Sequence, residues 1–198
     1  MNTFIETIKI VDGEFCNMPL HKARMQRTMR YFYGDCSFSM PSADTIPLDM
    51  RVGVVKCRII YSSVILYIEY AKYSIRDIRR LMVVEDDEIE YRYKYEDRRC
   101  FERLLAKRGD ADEILIVRNG YFSDSSFSNL VFVNDSGMYT PDTPLLEGVR
   151  RELLIAGKVV EERPIRLEDL EQYSSVCLIN SMMDLSDQVC VPVSDIIM

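Results

Sequence analysis

The chain has one histidine, His21, and no tryptophan, and its six cysteines (Cys16, Cys36, Cys57, Cys100, Cys177 and Cys190) form no C-x-x-C pair. A structural zinc site needs four closely spaced nitrogen or sulfur ligands, so this supply argues against one. The opening Met1-Asn-Thr-Phe-Ile-Glu-Thr lacks the basic and apolar regions of a secretion signal, which leads to an expectation of a cytoplasmic protein with reduced thiols. Long hydrophobic runs are missing as well. The longest apolar stretches are cut by Lys56, Arg58 and Glu69, which excludes a membrane-spanning helix from the expected fold. Positive charge is in short supply: 25 Lys and Arg face 32 Asp and Glu, a formal charge of -7. That balance opposes nonspecific binding to nucleic acid, whose phosphates require a clustered basic surface. A small-molecule or protein partner is favoured.

What is present is an ordinary globular composition: 198 residues, 47% hydrophobic and 29% charged, enough for one large domain or two small ones. Phe4 to Ile10 alternates apolar and polar residues up to the turn signal Asp12-Gly13, and Glu14-Phe15-Cys16 completes a hairpin. From Leu20 to Tyr33 the period becomes helical. Val52–Tyr61 and Val64–Tyr73 read as two strands joined at Ser62-Ser63. Glu85-Asp-Asp-Glu88 interrupts the apolar run Leu81–Val84 and marks a candidate boundary between domains 1–88 and 89–198. A helix is expected over Arg98–Arg108, strands over Glu113–Val117 and Asn129–Val133, a helix over Val149–Ala156 and a buried strand over Val176–Ile179.

Candidate chemistry lies in four stretches. Lys94 is followed by Gly120-Tyr-Phe-Ser-Asp124-Ser-Ser-Phe-Ser-Asn129, by Leu145-Leu-Glu-Gly148-Val149-Arg150-Arg151, and by Ile179-Asn180-Ser181-Met182. A lysine for a Schiff base, an acid for a ring nitrogen and glycine-led backbone donors for a phosphate are the parts a pyridoxal 5'-phosphate (PLP) enzyme requires. Each part has a plain alternative: a solvated lysine, a turn aspartate, one arginine of an amphipathic helix, a capped strand end.

Taken with Phe4–Gly13 and His21-Lys22-Ala23-Arg24, these stretches resemble the class IV, fold-type IV family of PLP-dependent enzymes. That family contains branched-chain and D-amino acid aminotransferases and 4-amino-4-deoxychorismate lyase. His21-Lys-Ala-Arg24 is similar to its H-x-x-R helix, Lys94-Tyr-Glu-Asp-Arg98 to its K-x-x-N-R lysine neighbourhood, and Gly148-Val-Arg150-Arg151 to its G-I-T/M-R stretch. The resemblance implies a mixed α/β chain of two small α/β domains with the D-amino acid aminotransferase-like fold. The strands that usually precede the element at Phe4 are missing, so a truncated N-terminal domain is expected. It further implies a homodimer acting on a small-molecule substrate.

By the same resemblance Lys94 binds PLP covalently and shuttles the substrate proton, with Arg92, Arg98 or Arg99 near enough in sequence to lower its pKa. Arg24 clamps the phosphate, together with the backbone at Gly148, Val149 and Arg150. Arg150 departs from the usual hydroxyl or apolar residue. Asp124 stands where a glutamate usually faces the ring nitrogen; being one methylene shorter, it must come closer, act through water or lose the contact. Asn129 and Ser181 belong to the cofactor side, Arg98 and Asn180 to the substrate side. Asn180-Ser181-Met182-Met183 is nearer to the lyases' C-N-A-L-M than to the aminotransferases' S-G-T-A-A. The expected function is release of p-aminobenzoate and pyruvate from 4-amino-4-deoxychorismate, a step towards folate. A class IV aminotransferase is the alternative, and a non-catalytic relative the third reading, motivated by Asp124, Arg150 and the missing strands.

Overall fold

The computed structural model describes residues 2–198. They divide into two compact units: the chain up to Ile75 with Tyr93–Asp97, and Arg76–Arg92 with Arg98–Met198. The boundary expected after residue 88 falls inside the second of these units, and the lysine-bearing segment returns to the first.

In the first unit, β1 (Phe4–Val11) turns at Asp12-Gly13 into β2 (Glu14–Phe15). Both turn residues have left-handed backbone, φ 48° and 84°, as a tight hairpin whose twist matches its strands requires. Helix α1 (Met18–Tyr33) begins with Pro19 in its first turn, where a missing N–H costs nothing. β3 (Val54–Tyr61) runs antiparallel to β1 from Phe4↔Tyr61 to Val11↔Val54, and β4 (Ile65–Lys72) lies on its other side. The strand expected from Val52 starts two residues later, because Gly53 sits at φ 78°. Phe4, Ile8 and Ile10 of β1 and Val55, Cys57, Ile59 and Tyr61 of β3 share a core with Met25 and Met29 of α1. The period-2 faces of two strands thus meet one stripe of the helix.

Two sheets make up the second unit. β5 (Leu81–Glu85) pairs in parallel with β6 (Glu113–Arg118), which turns back into the short β7 (Tyr121–Phe122). Between β5 and β6, α2 (Arg99–Leu105) buries Phe101 and Leu104 and stops three residues short of the expected Arg108. The other sheet contains β8 (Asn129–Asn134), β9 (Gly137–Pro141), β10 (Glu161–Arg163), β11 (Ser175–Ile179) and β12 (Cys190–Pro192), in the order β10-β9-β8-β11-β12. Helix α3 (Val149–Ala156) connects β9 to β10, and β13 (Ile196–Ile197) joins the edge of β5 in parallel. β6 and β8 are buried along most of their length, which explains their continuous apolar runs Ile-Leu-Ile-Val and Leu-Val-Phe-Val.

The expectation of reduced thiols throughout is overturned at one place. Cys177 and Cys190 form a disulfide between β11 and β12, where they face each other directly in the antiparallel register. Cys16, Cys36 and Cys57 are free thiols. No helix among the described residues is long and apolar enough to cross a membrane.

Candidate cofactor site

Lys94 is the middle residue of a three-residue turn, with the Tyr95 N–H donating to the Tyr93 carbonyl at 2.7 Å. Its backbone is tied to β1: Ile5 N–H donates to the Lys94 carbonyl at 2.8 Å, and Glu96 N–H to the Thr3 carbonyl at 2.9 Å. The turn is therefore anchored at the lysine and again two residues beyond it, and Lys94 is half-buried. One step along the same strand stands the anchor of Arg24. Glu6 is completely buried and accepts from Arg24 Nε at 3.2 Å and from Arg24 Nη2, and from His21 Nδ1 at 2.6 Å. Burial alone would push the Glu6 carboxyl up, but the Arg24 guanidinium and His21 outweigh it and hold the group at about 2. Since Glu6 is ionised, the His21 Nδ1 must carry the hydrogen. Next to this cluster the Tyr61 phenol is driven upward by burial and by the charge of Glu6. The first unit thus holds Lys94 and Arg24 through adjacent residues of β1.

The second unit gathers the remaining candidates. The excursion from β7 to β8 folds into a buried bulge: Ser123 to Ser126 are all buried, and Asp124 bridges to Asn129. One Asp124 oxygen accepts from Asn129 Nδ2 at 2.8 Å, the other from the Leu146 N–H at 2.9 Å. Asn129 Nδ2 also donates to the Leu146 carbonyl at 2.8 Å, which locks the bulge to the segment before α3. Burial pushes the Asp124 carboxyl up to about 7, against the pull of these donors and of Arg151. Gly148 caps α3 without a side-chain hydrogen bond. A Cβ at Gly148 would lie 1.9 Å from Asn129 Oδ1, so only glycine allows this approach. Val149 is buried behind it.

The Arg150 and Asn180 side chains have partners within the protein. The Arg150 side chain pairs with Asp184 at 3.0 Å, and its Nε is buried with no hydrogen-bond partner among the described residues. Its backbone lies in the first turn of α3. Asn180 turns its side chain onto its own loop: Oδ1 accepts from Met182 and Met183 N–H at 2.8 and 3.1 Å, and Nδ2 donates to Ser128 Oγ at 3.0 Å. This shapes the turn that contains Ser181. Arg98 donates to the Ser126 carbonyl at 2.7 Å and stacks over Phe101 at 4.8 Å, so it buttresses the Asp124 bulge from below.

Three observations test whether this donor set suits PLP. A carboxyl buried and held up near 7 is one that a cationic ring N–H would stabilise in its ionised form. The eight-residue α3 leaves its first-turn N–H groups without intrahelical acceptors or a side-chain cap, an arrangement that favours an anion. The close glycine approach at Gly148 leaves no side chain over that turn. The residues fit the cofactor. Glu6 and Asp184 escaped the sequence reading. Glu6 had a signal, a charge on the apolar face of β1, whereas nothing in sequence links Asp184 to Arg150.

Comparison with known proteins agrees with this geometry. The chain is 37% identical over 188 residues to an uncharacterized Haemophilus influenzae (strain Rd) protein, covering 93% of this chain and all of the other. A crystal structure from Haemophilus somnus 129pt, provisionally named a 4-amino-4-deoxychorismate lyase, superposes with TM-score 0.82 at 32% identity, over 92% of this chain and 97% of that one. A Mycobacterium tuberculosis hypothetical aminotransferase with alpha-ketoglutarate and PMP bound shares the fold, at TM-score 0.77 and 17% identity, over 98% of this chain and 81% of that one. The profile of the amino-transferase class IV family matches residues 64–196, and the chain belongs to this family of PLP-dependent enzymes.

Proposed function

We propose that the protein is a PLP-dependent lyase that converts 4-amino-4-deoxychorismate to p-aminobenzoate and pyruvate, working as a cytoplasmic homodimer. The observation that carries this reading is the 32% identity, over 92% of the chain, to the protein provisionally named for that activity. The lyase-like turn Asn180-Ser-Met-Met183 supports it from the sequence.

PLP, when bound, supplies an electron sink that acidifies the Cα–H of a substrate amine. The Val149 and Arg150 amides, at a helix N-terminus, would hold its phosphate, and so, by the family resemblance, would the charge of the Arg24 guanidinium. The Asp124 carboxylate would face the ring N–H, and Lys94 Nζ, in its neutral form, would take the Cα proton. Aromatisation of the substrate's six-membered ring would drive the loss of pyruvate, whose methylene carbon takes up a proton, and Lys94 Nζ would then displace the p-aminobenzoate amine and free the product.

Purified protein incubated with 4-amino-4-deoxychorismate and PLP is expected to release p-aminobenzoate without any keto acid, and Lys94→Ala to release none. Turnover that instead requires 2-oxoglutarate assigns a class IV aminotransferase, the reading favoured by the likeness to the alpha-ketoglutarate- and PMP-bound structure. A purified protein that takes up no PLP refutes both.

A further inference from the structure

Alternation along β1 turns Phe4, Glu6, Ile8 and Ile10 to the side packed on α1, and Glu6 is the one charged residue among them. Stability is a poor explanation for its presence. Removing a carboxylate and a guanidinium from water costs several kcal/mol per ion, and apolar replacements of such clusters are often neutral or better. What Glu6 does supply is geometry. It meets Arg24 edge-on, one oxygen at Nε and the other at Nη2, which fixes the plane of the guanidinium as a single contact does not. His21, one turn before Arg24 on α1, holds the same carboxylate from a second direction at 2.6 Å. Glu6, His21 and Arg24 are 0%, 1% and 7% exposed, so none of these groups has room to change its orientation.

The geometry points to Glu6, braced by His21, as the positioning residue that presets the Arg24 guanidinium for a phosphate ester. The inference rests on the reading above of Arg24 as a phosphate-binding residue, and it adds a specific claim: Glu6 acts on recognition of the phosphate and not on recognition of the aldehyde or the ring.

Pyridoxal shares the aldehyde and ring of PLP but lacks the phosphate, and this separates the two roles. Apoprotein is titrated with PLP and with pyridoxal, read by absorbance and intrinsic tyrosine fluorescence, in wild type, Glu6→Gln, Arg24→Ala and the double variant. Glu6→Gln is expected to weaken PLP about tenfold or more while changing pyridoxal by less than about twofold. The double variant is expected to bind PLP no worse than Arg24→Ala alone, because Glu6 works through that side chain. Inorganic phosphate should compete with PLP in wild type and lose most of that effect in Glu6→Gln. If Glu6→Gln does not fold, Glu6→Asp keeps the charge but retracts the fork, and the same selective loss, smaller, is expected from it. Parallel losses for PLP and pyridoxal, or unchanged discrimination in a variant with native circular dichroism, overturn the inference alone. A wild type that binds neither aldehyde overturns the cofactor reading and this inference together.

Discussion

At the residue scale the two buried carboxyls are perturbed in opposite directions. Asp124 is held up near 7, above its ordinary 3.8, mainly by burial. The folded protein therefore keeps a proton that the unfolded chain releases from pH 3.8 upward, so stability falls as pH rises through that window and levels off above about 7. Asp124→Asn removes the ionisable group at the cost of one of the hydrogen bonds to Asn129 or Leu146. The apoprotein melting temperature of this variant, relative to wild type, should climb from pH 4 to pH 7 by the equivalent of roughly 3–4 kcal/mol and then stay flat. A difference independent of pH contradicts the assignment. Glu6 is held at about 2, below its ordinary 4.5, so its stabilisation is complete above pH 4.5 and disappears as pH falls towards 2. Glu6→Gln is expected to lose about 3 kcal/mol at pH 7 in urea unfolding, and progressively less below pH 4.5.

These residues also show what the sequence could reveal. Lys94, Asp124 and Gly148 each stand in a short motif whose residue types have a chemical reason, and on that ground the sequence offers them as candidates. Arg150 and Asn180 have side-chain partners that the sequence does not reveal: an ion pair with Asp184 and a self-capped turn. Ion pairs between residues far apart in the chain leave no local pattern.

Among the elements, strands with strict alternation or long apolar runs, β1, β3, β6 and β8, were legible to within a residue or two. β10, β12 and β13 have two or three residues each, too few for any period to register, and exist because a longer neighbour offers its edge. The start of α3 depends on one atom-scale condition. Gly148→Ala places a methyl group onto Asn129 Oδ1, so Asn129 must release Asp124, Leu146 or both. A loss of about 1–3 kcal/mol in thermal or urea unfolding is expected, with weakened PLP retention. Unchanged melting and retention contradict the packing. The bridge from β11 to β12 closes a loop of separation 13 that contains Asn180, Ser181 and Asp184. By loop entropy it contributes ~3 kcal/mol, so Cys177→Ser should melt markedly lower than wild type under oxidising conditions and at the same temperature under a strong thiol reductant. Non-reducing peptide mapping that shows no linked pair removes the bridge.

For the whole molecule, two α/β units were legible but their border was not. The acidic run Glu85–Glu88 is conspicuous in sequence, yet β5 continues pairing with β6 up to Glu85↔Val117, and the chain crosses between the units at Ile75, Arg92 and Asp97. Composition shifts mark solvent exposure. Borders follow contacts, and three crossings cannot be read from one charged stretch.

The return of Tyr93–Asp97 to the first unit has a consequence for synthesis. Until Asp97 has left the ribosome, Ile5 has no partner for its amide on that side and Phe4 lacks its neighbour Tyr95. By then β5 has already emerged, while of the strands that flank it β6 is still inside the exit tunnel and β13 is still to be translated. The nascent protein must therefore carry an unpaired apolar edge, Leu81-Met-Val-Val, through more than half of its elongation, and that segment is where a chaperone or a misfolding partner would first take hold.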